Sequence, residues 1–135
     1  MEPILRAATL ADAQFLFDLR TDPDVATASA AHPPVDFAQH VLWLEHAIED
    51  LDRRLFIIED QDSRLMPSGQ CRLDLIDYGR SAEVSIALIR PARGHGVGTA
   101  ALKVLALAAA DLGIRWLEAV IKETNHASRK AFLKA

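Results

Sequence analysis

Residues 87–113 read ALIRPARGHGVGTAALKVLALAAADLG, and the fold turns on how this stretch is read. An extended apolar run gives way to a turn carrying Gly94, Gly96 and Gly98 at alternate positions, with Arg90 and Arg93 beside them. A long apolar helical pattern follows. Glycine adopts backbone angles closed to other residues and lets the main chain approach a ligand. At a helix start such residues leave several N–H groups pointing one way, with the positive end of the helix dipole behind them. That arrangement suits a pyrophosphate. The plain alternative is a tight turn serving close helix–sheet packing. A Walker A loop is excluded, because GxxxxGK followed by Ser or Thr is absent. GHGVGT resembles the dinucleotide fingerprint only superficially, since the strand before it does not open an N-terminal βαβ unit.

Upstream of the turn, AEVSIALI (82–89) reads as a strand with Val84, Ile86 and Leu88 on one face and Glu83, Ser85 and Ala87 on the other. QCRLDLID (70–77) alternates in the same way, and RLFIIED (54–60) is a third strand. A first strand falls near ILRAA (4–8). TLADAQFLFDLRTD (9–22) is a helix with Thr9 and Asp12 in a capping-box arrangement, ended by Pro23. DFAQHVLWLEHAIEDLD (36–52) is a second helix, capped by Asp36. Val41, Leu42, Leu44, Ala47, Ile48 and Leu51 supply its apolar side, and Phe37, His40 and Trp43 run along a neighbouring stripe. Downstream, a helix from Gly98 or Thr99 stops at Gly113, IRWLEAVIK (114–122) is a strand, and a last helix begins at Thr124 or Asn125. The order describes a mixed α/β sheet with helices on both faces, in a single domain spanning residues 1–135.

Composition narrows the class. The chain has 135 residues, is half apolar and carries a formal net charge of -4, which suits one globular domain and disfavours nucleic-acid binding by charge alone. The single cysteine, Cys71, offers neither a disulfide nor a metal cluster, and no histidine spacing suggests zinc. No signal peptide is evident, and the apolar stretch 100–110 is too short to span a membrane. A cytoplasmic protein without metal, membrane or nucleic-acid partners is expected.

RPARGHGVGTAALKVLALAAADLG resembles the acetyl-coenzyme A loop of the GCN5-related N-acetyltransferases, whose pattern of Arg or Gln, two residues, Gly, any residue, Gly or Ala is filled by Arg93, Gly96 and Gly98. AEVSIALIRP resembles that family's central strand, and LEAVIKETNHASRKAFLKA the strand, Asn-containing turn and helix that follow. The resemblance implies a sheet with a splayed strand pair and acetyl-CoA lying in the gap. It implies that main-chain groups of Arg93, Gly94, His95, Gly96, Val97, Gly98 and Thr99 cradle the pyrophosphate. Arg93 and Arg90 would add charge. The backbone of Ile86, Ala87, Leu88 and Ile89 would pair with pantetheine, and Asn125 and Ser128 would contact the cofactor. Members normally continue beyond the equivalent of FLKA with Gly-Phe and two more strands, so a fragment, or a tail exchanged within a homodimer, is expected here.

Acyl transfer from a thioester needs a neutral amine, hence a group to take its proton. Glu83 is the candidate base, with partial burial suiting it to proton uptake; the alternative is a strand carboxylate paired with Arg72. Many family members carry a tyrosine seven residues after the conserved asparagine as acid for the leaving thiolate; here that position is Phe132. Tyr78, the only tyrosine, lies in a turn. The acceptor pocket is expected from Phe17, Arg20, Phe37, His40 and Trp43, with Arg72 and Asp74 on the adjoining strand, a set suited to a ring or a phosphate. Alternatively, Trp43 and Phe17 are core residues and His40 is a surface residue. Within the superfamily the layout is most similar to enzymes that acetylate a nucleotide-linked amino sugar of the pseudaminic acid route, and next to those acting on protein N-termini, including ribosomal proteins. An acetyl-CoA-binding module without catalysis is the third reading.

Overall fold

The computed structural model describes residues 3–23, 36–60 and 66–119. Strand β1 (Pro3–Ala7) leads through a short 3-10 turn into helix α1 (Ala13–Thr21), and helix α2 (Phe37–Glu49) precedes strands β2 (Arg53–Asp60), β3 (Met66–Ile76) and β4 (Ser81–Leu88). The glycine turn joins β4 to helix α3 (Val97–Asp111), after which β5 (Trp116–Ala119) returns to the sheet. Strand order is β1-β2-β3-β4-β5. The first four are antiparallel neighbours, and β5 runs parallel to β4 through the α3 crossover. No helix among the described residues is long and apolar enough to cross a membrane.

Strand alternation sorts side chains onto two faces. On one, Ile58, Cys71, Leu73, Ala82 and Val84 pack against Val97, Ala101, Leu102, Leu105 and Ala109 of α3. The alanines let this helix lie close to the sheet. Burial pushes the Cys71 thiol up to about 12, leaving it an inert core side chain. On the other face, Leu55 and Ile57 meet Leu16 of α1 and Leu44 of α2. The inward line of α2 is His40, Leu44 and Ala47, whereas Leu42, Ile48 and Leu51 are exposed. The apolar side expected from sequence is thus rotated toward the histidine stripe, because β2 and α1 meet the helix along that line.

The first turn is fastened to the sheet by Arg6. Its guanidinium donates to both carboxylate oxygens of Asp12 at 2.7 and 2.8 Å and, through Nε, to Glu59 at 2.7 Å. The Asp12 carboxylate also accepts from the Thr9 N–H at 2.8 Å, and the Arg6 bonds hold it below the usual carboxylate range. Asp36 caps α2 by accepting from the Gln39 N–H at 2.7 Å.

Gly69 matters by position. It sits on β3 opposite Leu88, and a Cβ there would lie 2.2 Å from the Ala87 carbonyl oxygen and 3.0 Å from the Leu88 Cα. These are backbone atoms, so β4 itself would have to shift. Gly69→Ala is expected to destabilise the fold by about 1–3 kcal/mol, read as a lower denaturation midpoint; an unchanged midpoint would refute this account of the β3–β4 contact.

Candidate active site

The glycine turn is built from the main chain. Gly94 and Gly96 have φ of 77° and 80°, in the region that favours glycine, and Gly96 caps α3 without any side-chain bond. A Cβ at either would meet nothing within 4 Å. These two glycines are therefore required by the backbone angles of a tight turn and not by close packing. The first helix amide with a partner is that of Ala100, bonded to the Gly96 carbonyl at 3.0 Å. The N–H groups of Gly94, His95, Gly96, Val97, Gly98 and Thr99 have no acceptor among the described residues. Gly94, His95 and Gly96 are exposed, and Gly98 and Thr99 partly so. Val97 is different: its side chain is 2 % exposed and enters the α3 core, leaving only its backbone to the turn.

The adjoining end of β4 presents main-chain groups too. Ile89 donates to the Ser68 carbonyl at 2.9 Å and so faces β3. Successive peptide groups alternate, so those of Ile86 and Leu88 face away from β3. Pairing with β5 covers Ser81–Val84, and among the described residues Ser85–Leu88 have a strand partner on the β3 side alone. Arg93 departs from expectation. Its Nε donates to the Leu88 carbonyl at 3.1 Å, and its Nη2 lies 3.5 Å from Asp22 Oδ1 at the end of α1. The side chain thus ties the turn to strand and helix, and it occupies one of the carbonyls expected to pair with pantetheine. Asn125, Ser128 and Phe132 lie outside the described residues.

On the opposite face of the sheet, register sets out two rows. Arg53, Asp74, Glu83 and Glu118 lie across from one another on β2 to β5, and Leu55, Arg72 and Ser85 form the next row. Glu83 is exposed, not partly buried as expected, and its cross-strand neighbours are carboxylates. The pairing with Arg72 is not formed: Arg72 Nε bonds Asp74 Oδ2 at 3.0 Å instead. The Ser85 hydroxyl is buried without a hydrogen-bond partner among the described residues. Tyr78 is fully exposed in the β3–β4 turn, at the far end of β4 from the glycine turn. At about 3.3 Å per residue that end is roughly 23 Å from Leu88, so Tyr78 stands apart from the glycine turn.

The helices above this face bring the expected acceptor residues together. Phe17 and Phe37 meet edge to face at 5.4 Å, and His40 stacks on Trp43 at 5.8 Å. The Arg20 guanidinium lies 3.9 Å from the Trp43 ring centroid, and that of Arg72 lies 5.9 Å from it. His40 is 0 % exposed, so it touches no ligand from this position and is not a surface residue either. Its Nε2 lies 3.1 Å from the Ala13 carbonyl and its Nδ1 3.5 Å from Arg20 Nη1. This fits a neutral ring that donates from Nε2 and accepts at Nδ1. Burial, then the Arg20 charge, lowers the His40 pKa. Sequence reasoning missed Arg53 and Glu118, whose place on this face follows from strand register, and gave Ser85 its face by alternation but no role.

Among the described residues, a row of amides without backbone acceptors stands beside the strand edge of Ser85–Leu88, on a mixed sheet with helices on both faces. The profile of the acetyltransferase (GNAT) domain matches residues 4–135, and the chain belongs to that family. It is an acetyl-CoA-dependent N-acetyltransferase. Solved structures share the fold. Spermidine N-acetyltransferase from Vibrio cholerae, in complex with CoA and spermine, aligns with a TM-score of 0.87 at 20% identity, over 98% of this chain and 79% of that one. A protein provisionally described as a phosphinothricin N-acetyltransferase gives 0.78 at 26% identity, covering 98% and 80%. A domain from Methanocaldococcus jannaschii gives 0.84 at 19% identity, covering 98% and 85%. No curated protein matches the sequence.

Two outcomes follow from this geometry. Gly96→Ala forces a left-handed angle on a residue with a Cβ, costing about 1–2 kcal/mol; calorimetry is expected to register weaker acetyl-CoA binding, and undiminished affinity would contradict the cradle. For His40, the folded state resists a proton that the unfolded chain accepts below about pH 6.5. Its contribution is therefore present above that pH and lost as pH falls toward the depressed folded value. Denaturation midpoints of wild type and His40→Gln are expected to converge on acidification; parallel curves would show that the ring takes up its proton equally in the folded and unfolded states, against a depressed folded value.

Proposed function

We propose that this N-acetyltransferase modifies the primary amine of a small molecule, with a nucleotide-linked amino sugar as the particular acceptor. The observation that carries the cofactor side is the run of unbonded N–H groups from Gly94 to Thr99 ahead of α3. Such donors, with the helix dipole behind them, fit a pyrophosphate. Peptide groups of Ile86 and Leu88 that face the open edge fit the amides of pantetheine. Acetyl-CoA supplies the acyl group as a thioester. Asn125 and Ser128 remain cofactor contacts by resemblance alone.

The acceptor enters from the helix side of the Glu83 face. Phe17, Phe37, Arg20 and Trp43 provide an aromatic and cationic wall, and Arg72 adjoins it from β3. Glu83 takes the proton that an incoming ammonium must lose before its nitrogen becomes a nucleophile, directly or through one water. A thiolate leaving group, with a free thiol pKa near 8.5, leaves without strong acid help. That accommodates phenylalanine at position 132. A second reading, a protein N-terminus as acceptor, draws on the exposed carboxylates Glu83 and Glu118, paired across β4 and β5, as a seat for the ammonium of a chain end.

Thiol release with amino-sugar nucleotides against N-terminal peptides separates the two readings. Release with neither, alongside saturable acetyl-CoA binding, would leave a binding module. Replacing Glu83 by Gln is expected to cut turnover at neutral pH by about 10²–10⁴-fold while acetyl-CoA affinity stays near wild type. A wild-type rate would clear Glu83 of the base role.

A further inference from the structure

Arg20 is a partly buried cation with no carboxylate partner among the described residues. Its recorded contacts are the Trp43 ring at 3.9 Å and the His40 Nδ1 at 3.5 Å, both uncharged. Arg72 and Arg53 stand close enough to act on it, and with burial they lower its pKa to about 10, so it still carries its charge at neutral pH. The neighbouring acid does not serve Arg20. Asp74 is engaged by Arg72 at 3.0 Å and Arg53 at 3.5 Å, and Arg53 also reaches Asp50 at 3.6 Å. Three guanidiniums thus converge on one helix–sheet corner where Asp74 is the shared counter-ion. A partly desolvated charge with like-charged neighbours is costly unless an anion arrives. The buried Ser85 hydroxyl, directly across from Arg72 on the same face, is a further polar group without a partner there.

We infer that Arg20 and Arg72 form an anion subsite, with Ser85 adjoining, that reads a carboxylate or phosphate on the amine acceptor. This deepens the proposed function and rests on its placing of the acceptor on the Glu83 face. Register gives the subsite a length. Glu83 lies two residues from Ser85 on β4, diagonal to Arg72, and diagonal neighbours on antiparallel strands stand roughly 7–8 Å apart. The acceptor's amine and its anion are therefore separated by only a few bonds, or by a rigid ring. The Trp43 ring, with its centroid 3.9 Å from the Arg20 guanidinium carbon, restricts that side chain before any oxyanion arrives. A polycation would meet three arginines at this corner, so spermidine is expected to be a poor acceptor.

Thiol release from acetyl-CoA with matched amines tests this. 2-Aminoethyl phosphate is compared with ethanolamine, and β-alanine with β-alaninamide, with spermidine as the polycationic control. An anionic member is expected to exceed its uncharged partner in kcat/KM by about 10–100-fold. Preference within the phosphate pair assigns a phosphate handle, and preference within the carboxylate pair a carboxylate. In Arg20→Gln the preference should collapse. Arg72→Gln, a change on β3 and not on α1, should reduce it in the same direction and guards against misfolding of the first variant. Equal rates within both pairs, or spermidine as the best acceptor, would overturn the anion subsite. Thiol release with none of these amines, but with an amino-sugar nucleotide at a rate that Arg20→Gln leaves unchanged, would likewise overturn the subsite; silence with the amino-sugar nucleotide and N-terminal peptides as well, despite bound acetyl-CoA, would instead defeat the proposed acceptor reading.

Discussion

Six consecutive N–H groups without a backbone acceptor among the described residues are the constraint around which this molecule is arranged. Main-chain donors are normally satisfied, and leaving them unmet is tolerable only where water or a ligand can reach them. From Gly94 to Thr99 the chain meets that condition by staying at the surface while being held from both ends. On the helix side Val97 is sunk into the same core as Ala101 and Leu105. On the strand side Arg93 grips the Leu88 carbonyl. Between those anchors two left-handed glycines turn the backbone so that its donors face outward. The rest of the α/β framework fixes where this row stands relative to the edge of β4.

The legible parts of the fold were those that depend on local pattern. Alternation in residues 70–77 and 82–89 announces strands, and the three glycines announce the turn, because both signals are complete within a few residues. The helix face of α2 was not legible. Leu42, Ile48 and Leu51 are as apolar as Leu44, and what chooses between the stripes is the line along which β2 and α1 press on the helix. His40 is buried because its ring nitrogens find the Ala13 carbonyl and the Arg20 guanidinium only after both helices have docked. Arg93 fills the motif position of a phosphate ligand, and what the motif did not show is its Nε bond to the Leu88 carbonyl and its approach to Asp22, a partner some seventy residues away in sequence. For Glu83, alternation gives the face and register gives the carboxylate neighbours, but neither reports how much of the side chain is covered.

The acceptor corner illustrates how buried polar groups support one another. His40 spends one nitrogen on a helix carbonyl and the other on Arg20, and its neutral form is the one that can accept from a guanidinium. It positions Arg20 over Trp43 without touching a ligand. The arginine in turn keeps the ring neutral, since a second positive charge beside it is unfavourable. A histidine that seemed a candidate contact becomes the support of the contact. Its contribution lies in geometry, because a long flexible side chain is most useful in recognition when its rotamers are already restricted.

Cofactor and acceptor sides are joined through α1. The helix carries Phe17 and Arg20 along its last turns and ends at Asp22, which meets Arg93; Arg93 bonds the Leu88 carbonyl at the strand edge. The Arg93–Asp22 pair, at 3.5 Å between partly exposed side chains, adds at most about 1 kcal/mol. Its value is one of placement. If α1 slid along the sheet, the Phe17–Arg20 wall and the tether of the glycine turn would move together, so the proposed acceptor and cofactor sides keep their separation. Effective acyl transfer depends on that distance more than on any single contact, because holding two reactants in line replaces an entropic cost that no side-chain acid or base can remove.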